Sequence, residues 1–324
     1  MKVLVCGGAG YIGSICNEYL IDHGHQTVVF DSLILGHAEA IDPRTSEFIQ
    51  GDLADRDLLT KTMVNGKFDA IMHFAAFSLV GESMKDPGKY FRNNLANGIN
   101  LADAAVAGNV KVIVFSSTAA TFGEPEEIPI RETTRQQPIN PYGESKLCFE
   151  KVLHWYQQIH GLRYVALRYF NAAGASANYG EHHINETHLI PLVLQVAQGK
   201  REKIMIYGDD YETPDGTCIR DYIHIIDLAQ AHMLAMSAPN CGHYNLGTGN
   251  GLSVKEIIES ARRVTGHAIP AEISPRRAGD PPRLIACSDL AKKELGWKPQ
   301  FEDADTIIES VWKWMKKHPN GYNA

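Results

Sequence analysis

The chain has 324 residues, 44% hydrophobic and 21% charged, an ordinary globular mix long enough to bury a core without disulfide or metal staples. That length suits two domains, or one large α/β domain with an appendage. Its 31 basic and 38 acidic residues leave a formal charge of −7, which disfavours nucleic acid or an anionic membrane as a partner.

Short apolar runs at 3–6, 27–30, 48–50, 70–74, 112–115 and 164–167 read as buried strands. Helical patterns separate most of them, as at 12–22, 57–64 and 94–107. This alternation predicts an α/β protein with a Rossmann-type doubly wound parallel sheet, its crossovers right-handed. After about 171 the chain turns loop-rich at 175–186 and 208–216. Helices return at 189–198, 226–236, 254–264 and 304–315, and the four prolines in 270–282 suggest an irregular connection. The expected division is a dinucleotide-binding domain over 1–170, rejoined by about 221–246, and a smaller α/β substrate-binding domain made mainly of 171–324.

Cys6, Cys16, Cys148, Cys218, Cys241 and Cys287 show no C-x-x-C spacing and read as reduced thiols of a cytoplasmic protein. The apolar run at the N-terminus is too short for a signal peptide, and no stretch approaches the ~18 apolar residues of a membrane span.

The first strand runs into Gly7-Gly8-Ala9-Gly10-Tyr11-Ile12-Gly13. Glycines at 7, 10 and 13 allow a tight turn and close approach of a pyrophosphate, and the helix that follows offers its N-terminal N–H groups to that anion. Asp31 ends the second strand, with Ser32 beside it. A carboxylate there accepts both adenosine ribose hydroxyls and repels a 2′-phosphate, so NAD is favoured over NADP. Asp52 and Leu53 follow the third strand and suit either an adenine contact or a strand-end turn. The small residues of Phe74-Ala75-Ala76 let backbone lie beside the cofactor, and Asn93 is either a further contact or a helix-surface amide.

Tyr142 and Lys146 stand four apart on a predicted helix, hence on one face. A free tyrosine, with a pKa near ~10, is too weakly acidic to serve as a base at neutral pH. A neighbouring ammonium and a cationic nicotinamide favour the phenolate. Tyr142 can then take a proton from a substrate hydroxyl while hydride leaves the same carbon. Ser116-Ser117-Thr118 ends the fifth strand, where ligands of parallel sheets sit, and Thr118 can bridge that proton.

These motifs resemble the extended short-chain dehydrogenase/reductase family, and within it the UDP-hexose 4-epimerases. The likeness runs nearly end to end. It includes Arg168-Tyr169-Phe170-Asn171, the stretch from Asp215 to His224, Tyr244-Asn245-Leu246-Gly247 and the stretch from Pro275 to Asp280. The resemblance implies tightly held NAD, oxidation at carbon 4 of a UDP-hexose, rotation of the 4-keto sugar and reduction on its other face. It implies that Tyr142 is the base, assisted by Thr118, and that Lys146 holds the cofactor ribose. Ser116 and Tyr169 would complete the cofactor site. Asn171, Arg220, Tyr222, Arg277 and Asp280 would grip the UDP, with Leu189, Ile206 and Tyr207 at the uracil. Leu284 would gate the sugar pocket at an intermediate width, so that UDP-N-acetylhexosamines turn over slowly. The resemblance also implies a homodimer built on the helices 94–107 and 141–158. Ser78 and Thr187-His188 depart from the family pattern, and no contact is carried onto them.

A nucleotide-sugar dehydratase would need an acid and a base after Thr118, where this chain has Ala119-Ala120-Thr121. A dehydrogenase that releases its cofactor would share the first half, and a non-catalytic NAD sensor would be expected to lack Tyr142 or Lys146. The histidines of Glu181-His182-His183, with His188, read as a solvated loop, and no metal is expected.

Overall fold

The computed structural model describes residues 1–277 and 280–322. Its first six strands are β1 Lys2–Cys6, β2 Gln26–Asp31, β3 Glu47–Gln50, β4 Ala70–His73, β5 Val112–Thr118 and β6 Arg163–Tyr169. The later ones are β7 Asn171–Ala173, β8 Ile204–Tyr207, β9 Ile219–Arg220, β10 Tyr222–His224, β11 Gly242–Leu246, β12 Leu252–Ser253, β13 Ala271–Ser274 and β14 Arg283–Leu284.

Seven strands form one parallel sheet in the order β11-β6-β5-β4-β1-β2-β3. Strands such as Val3–Cys6 are apolar throughout because both faces of the sheet are covered. On one face Val3, Val5 and Val114 pack with Ile15 and Leu20 of the helix Tyr11–Asp22 and Leu228 of the helix Ile225–Met236. On the other, Leu4, Phe30 and Ile113 meet Leu59 of Arg56–Gly66, Leu101 of Asn97–Ala107 and Phe149 of Pro141–His160. The order reverses at β1, which lies between β2 and β4. At such a point the crossovers diverge and leave a crevice at the carboxyl ends of the strands.

Three expectations are corrected. The seventh strand of the main sheet, β11, was not foreseen, because the sequence Gly-His-Tyr-Asn-Leu lacks a continuous apolar run. It is an edge strand, and its polar Asn245 is buried with its backbone N–H and side chain held by Glu132 and the Ile130 carbonyl. The stretch 270–282 is not wholly irregular, since β13 pairs in parallel with β8 and its flanking Pro270 and Pro275 lie outside the ladder. The helix expected at 94–107 starts earlier, with a π-helical turn at Phe91–Ala96 before the regular Asn97–Ala107.

The second lobe is built from short ladders, β10-β7, β12-β9-β14 and β13-β8, over helices that include Leu189–Ala197, Val254–Thr265 and Ala304–Lys317. Asp221, between β9 and β10, ties the segments that follow β11 and β14 to these two strands. Fully buried, it accepts from Thr248 N (2.7 Å), Thr248 Oγ1 (2.9 Å), Gly249 N (3.0 Å) and Ala286 N (3.0 Å). Anchoring Asp221 inside leaves its neighbour Arg220 at the cleft.

Candidate active site

The turn after β1 is sterically closed to side chains. Gly7 has φ +82°, and a Cβ there would lie 2.5 Å from Ala75 N. A Cβ on Gly13 would lie 2.1 Å from the Gly7 carbonyl oxygen. The first helical bond is Ser14 N–H to Gly10 O at 2.9 Å. The N–H groups of Tyr11, Ile12 and Gly13 thus have no helical acceptor, as at any helix start. Asp31 is 8% exposed; its Oδ2 accepts from Ala9 N (2.9 Å) and its Oδ1 from Leu33 N (2.8 Å). Burial pushes its carboxyl pKa up, against those two N–H groups. Each oxygen keeps a lone pair for a ribose hydroxyl. A close-packed glycine cradle beside an anchored carboxylate fits NAD.

Ser32, Asp52, Leu53, Phe74, Ala75, Ala76 and Asn93 line the same crevice. Asp52 also caps its own turn, accepting from Ala54 N at 2.8 Å. Asn93 donates to Asn94 Oδ1 at 3.0 Å. The sequence reading overlooked Asn94 itself. It is buried in the π-helical turn, exchanges bonds of 2.9 Å with both backbone groups of Phe77, and reaches Ser145 Oγ at 3.1 Å. It thereby fastens the segment after β4 to the helix Pro141–His160. A pair of asparagines, poor helix formers, at the start of a predicted helix was the available signal.

That helix is capped by the Asn140 side chain, which accepts from Gly143 N at 2.8 Å, with Pro141 in its first turn. Gly143 lets it press on the end of β5, since a Cβ there would meet the Ala120 carbonyl oxygen at 2.5 Å. Tyr142 is thus set beside Thr118. Burial pushes the Tyr142 phenol up and the hydrogen bond with Thr118 pulls it down. Thr118 Oγ1 also accepts from Ala120 N at 3.1 Å. Lys146 is 4% exposed, donates to the Ser116 carbonyl at 2.8 Å and lies 4.7 Å from the Phe115 ring centroid. Burial lowers its pKa from 10.5 to about 7, opposed by Glu150. Desolvation thus acts on both groups, raising the phenol and lowering the ammonium. Ser116 Oγ and Tyr169 Oη share a 2.5 Å hydrogen bond at the same strand ends.

One turn beyond Lys146 lies Glu150, also overlooked. It accepts from Ser117 Oγ at 2.5 Å and from Arg168 at 3.0 and 2.6 Å, with both charged side chains almost wholly buried. The repeat of four from Tyr142 through Lys146 was the available signal.

The cleft continues into the second lobe, with a volume of about 1340 Å³. Asn171, Leu189, Tyr207, Arg220, Tyr222, Arg277, Asp280 and Leu284 line it. Arg220 is 11% exposed and paired with Asp280, and the Arg277 guanidinium lies 4.0 Å from the Tyr207 ring centroid. Ile206 is the exception. It turns into the core beside Val193 and Ile269, because alternate residues of β8 face opposite sides, while Met205 and Tyr207 line the cleft. Ala278 and Gly279 of the expected clamp motif lie outside the described residues. The segment 181–188 is an irregular loop exposed at Ile184, Asn185, Thr187 and His188, but its two carboxylates are withdrawn from water. The side chains of Glu181 and Glu186 are 5% and 7% exposed and paired with His183 and His188, while His182 stacks on His37.

Residues 3–247 match the NAD dependent epimerase/dehydratase family. The chain is 54% identical to UDP-glucose 4-epimerase of Streptococcus mutans, over 100% of this chain and 99% of that one. A crystal structure of UDP-glucose 4-epimerase superposes with a TM-score of 0.97 at 52% identity, covering 100% of both chains. The Bifidobacterium longum enzyme of that name, in complex with NAD+ and UDP, does so at 0.93 and 38% identity, covering 99% of this chain and 100% of the other.

The Lys146 environment has a consequence for stability. Its folded pKa lies below its ordinary value, so between about pH 7 and 10.5 the unfolded chain binds that proton more tightly. The stability contributed at this position rises with pH across that window, by up to about 1.4 kcal/mol per pH unit. Urea unfolding at pH 7, 8 and 9 should show this slope reduced in Lys146→Met relative to wild type. Equal slopes would refute it.

Proposed function

From its membership of the NAD dependent epimerase/dehydratase family, which the chain shares over three quarters of its length, we propose that it interconverts UDP-galactose and UDP-glucose. The observation that carries the reading is one continuous cleft. It joins the glycine cradle and Asp31, the Tyr142–Thr118 pair, and the arginines of the second lobe. NAD bound there supplies the hydride acceptor and donor for oxidation and re-reduction at carbon 4.

The residues divide the remaining work. Tyr142 takes the proton of the sugar 4-hydroxyl and later returns it, and Thr118 shares that proton. Lys146 holds a ribose hydroxyl of the cofactor and adjusts the charge beside Tyr142. Asp31 accepts from the adenosine ribose, and the start of the helix Tyr11–Asp22 binds the pyrophosphate of the dinucleotide. Arg220, Arg277 and Asn171 grip the UDP pyrophosphate, because guanidinium groups meet phosphate with paired hydrogen bonds. Asp280 holds its ribose, and Leu189 and Tyr207 flank its base. Firm UDP binding leaves the hexose free to present either face.

Residues 1–170, rejoined by the helix Ile225–Met236 and β11, form the cofactor domain, and most of 171–324 forms the substrate domain. Trp155 and Ile159, 61% and 68% exposed on the helix Pro141–His160, support a homodimer seated on that helix. Six free cysteines fit a cytoplasmic protein. Among the described residues no helix is long and apolar enough to cross a membrane.

Tyr142→Phe tests the assignment. It should lower kcat for UDP-galactose by about 10²–10⁴-fold while copurified NAD and UDP affinity stay at wild-type levels. Retained turnover would remove Tyr142 from the chemistry. Leu284 lines the sugar end of the cleft at intermediate size. UDP-N-acetylgalactosamine should therefore be converted more slowly than UDP-galactose; equal rates, or no conversion at all, would contradict this.

A further inference from the structure

The loop between β7 and the helix Leu189–Ala197 walls the cleft, and four of its side chains converge. One ligating atom each from Glu181, His183, Glu186 and His188 lie within 4.8 Å of one another. His183 Nε2 stands 3.1 Å from Glu181 Oε1. His188 Nδ1 stands 2.9 Å from that same oxygen and 2.8 Å from Glu186 Oε1. Both carboxylates are withdrawn from water, their side chains 5% and 7% exposed. Among the described residues neither pairs with a lysine or arginine. Two buried carboxylates require positive charge close by. A single N–H on His188 Nδ1 cannot serve two oxygens on different side chains equally well.

We propose that Glu181, His183, Glu186 and His188 bind one zinc ion, which fastens this loop beside the cofactor helix. A tetrahedral ion with bonds of about 2.0–2.1 Å sets its ligand atoms roughly 3.3 Å apart; three of the pairs already stand at 2.8–3.1 Å, and the rest, all within 4.8 Å, would draw in. Two imidazoles with two carboxylates suit zinc, whereas calcium and magnesium favour six or more oxygens. Four protein ligands close the coordination sphere, so the role is structural and leaves no position for an activated water. Glu186 is pre-set by its own backbone, Oε1 accepting from Thr187 N at 2.8 Å and His188 N at 2.7 Å. His183 meets the Tyr11 ring edge-on at 6.4 Å, and Tyr11 Oη donates to the Gly174 carbonyl at 2.6 Å. The ion would thus couple the loop, and Leu189 after it, to the start of the helix Tyr11–Asp22. This inference does not depend on the epimerase reading, and its test does not use turnover.

The experiment strips the full-length protein with a chelator and adds back zinc. Bound metal is counted after gel filtration, and Co²⁺ reports geometry through its visible bands. The wild type should hold close to one zinc per chain, show tetrahedral Co²⁺ bands and gain melting temperature on zinc addition. His183→Ala and His188→Ala should each weaken zinc binding by more than the roughly 10–100-fold that loss of an outer-sphere partner costs. If far-UV circular dichroism shows either variant unfolded, Glu181→Gln, which keeps the side-chain shape, replaces it with the same expectation. Failure of the wild type to retain stoichiometric zinc would overturn the proposal. So would zinc binding that the variants leave unchanged, which would place the metal elsewhere, for instance on Cys148 or Cys241.

Discussion

The Glu150 carboxylate is where two strands of the sheet and the helix of the reactive pair are tied together. Ser117 of β5 and Arg168 of β6 both donate to it, and it stands on the helix that carries Tyr142 and Lys146. Burial pushes its pKa up, but Arg168, His243 and Ser117 outweigh that and leave it below the usual carboxylate range. Losing one partner of such a pair costs about 3–5 kcal/mol, because the other charge stays buried and unpaired. The register of Tyr142 against Thr118 follows from this tie and from the contact that Gly143 permits. Lys146, one turn before Glu150, is pulled down by burial and pushed back up by that carboxylate.

Much of this was legible in the sequence, because the first half obeys strong local rules. The apolar runs of β1, β2 and β5 are long enough to declare a buried parallel sheet, and the glycine loop sits between a strand and a helix. The Tyr142–Lys146 pair needs only helical spacing to be found. The less legible parts depend on tertiary contacts. Asn245 in β11 is buried and polar, its backbone N–H and side-chain amide N–H held by groups far away in sequence, so no run marked it. Ile206 and Tyr207 are adjacent, yet the strand sends one to the core and one to the cleft, which a contact assigned to the segment cannot resolve. Glu186 and His188 come together with Glu181 and His183 only because the loop folds back on itself.

The second lobe shows how a loop-rich segment becomes an ordered wall. Its ladders are two to four residues long, too short to be stable alone. Asp221 supplies the missing rigidity, holding four donors from two other segments and leaving Arg220 paired with Asp280 at the cleft wall. A firm clamp for a nucleotide diphosphate and an open space beyond it are the two conditions that a sugar turning over in place requires.

The most direct measurement is conversion of UDP-galactose carrying deuterium at carbon 4, with no cofactor added, followed by NMR. Hydride leaving and returning to the same carbon predicts UDP-glucose that retains the deuterium at carbon 4. Loss of the label to solvent, or no conversion even after NAD is supplied, would contradict the mechanism drawn from this cleft.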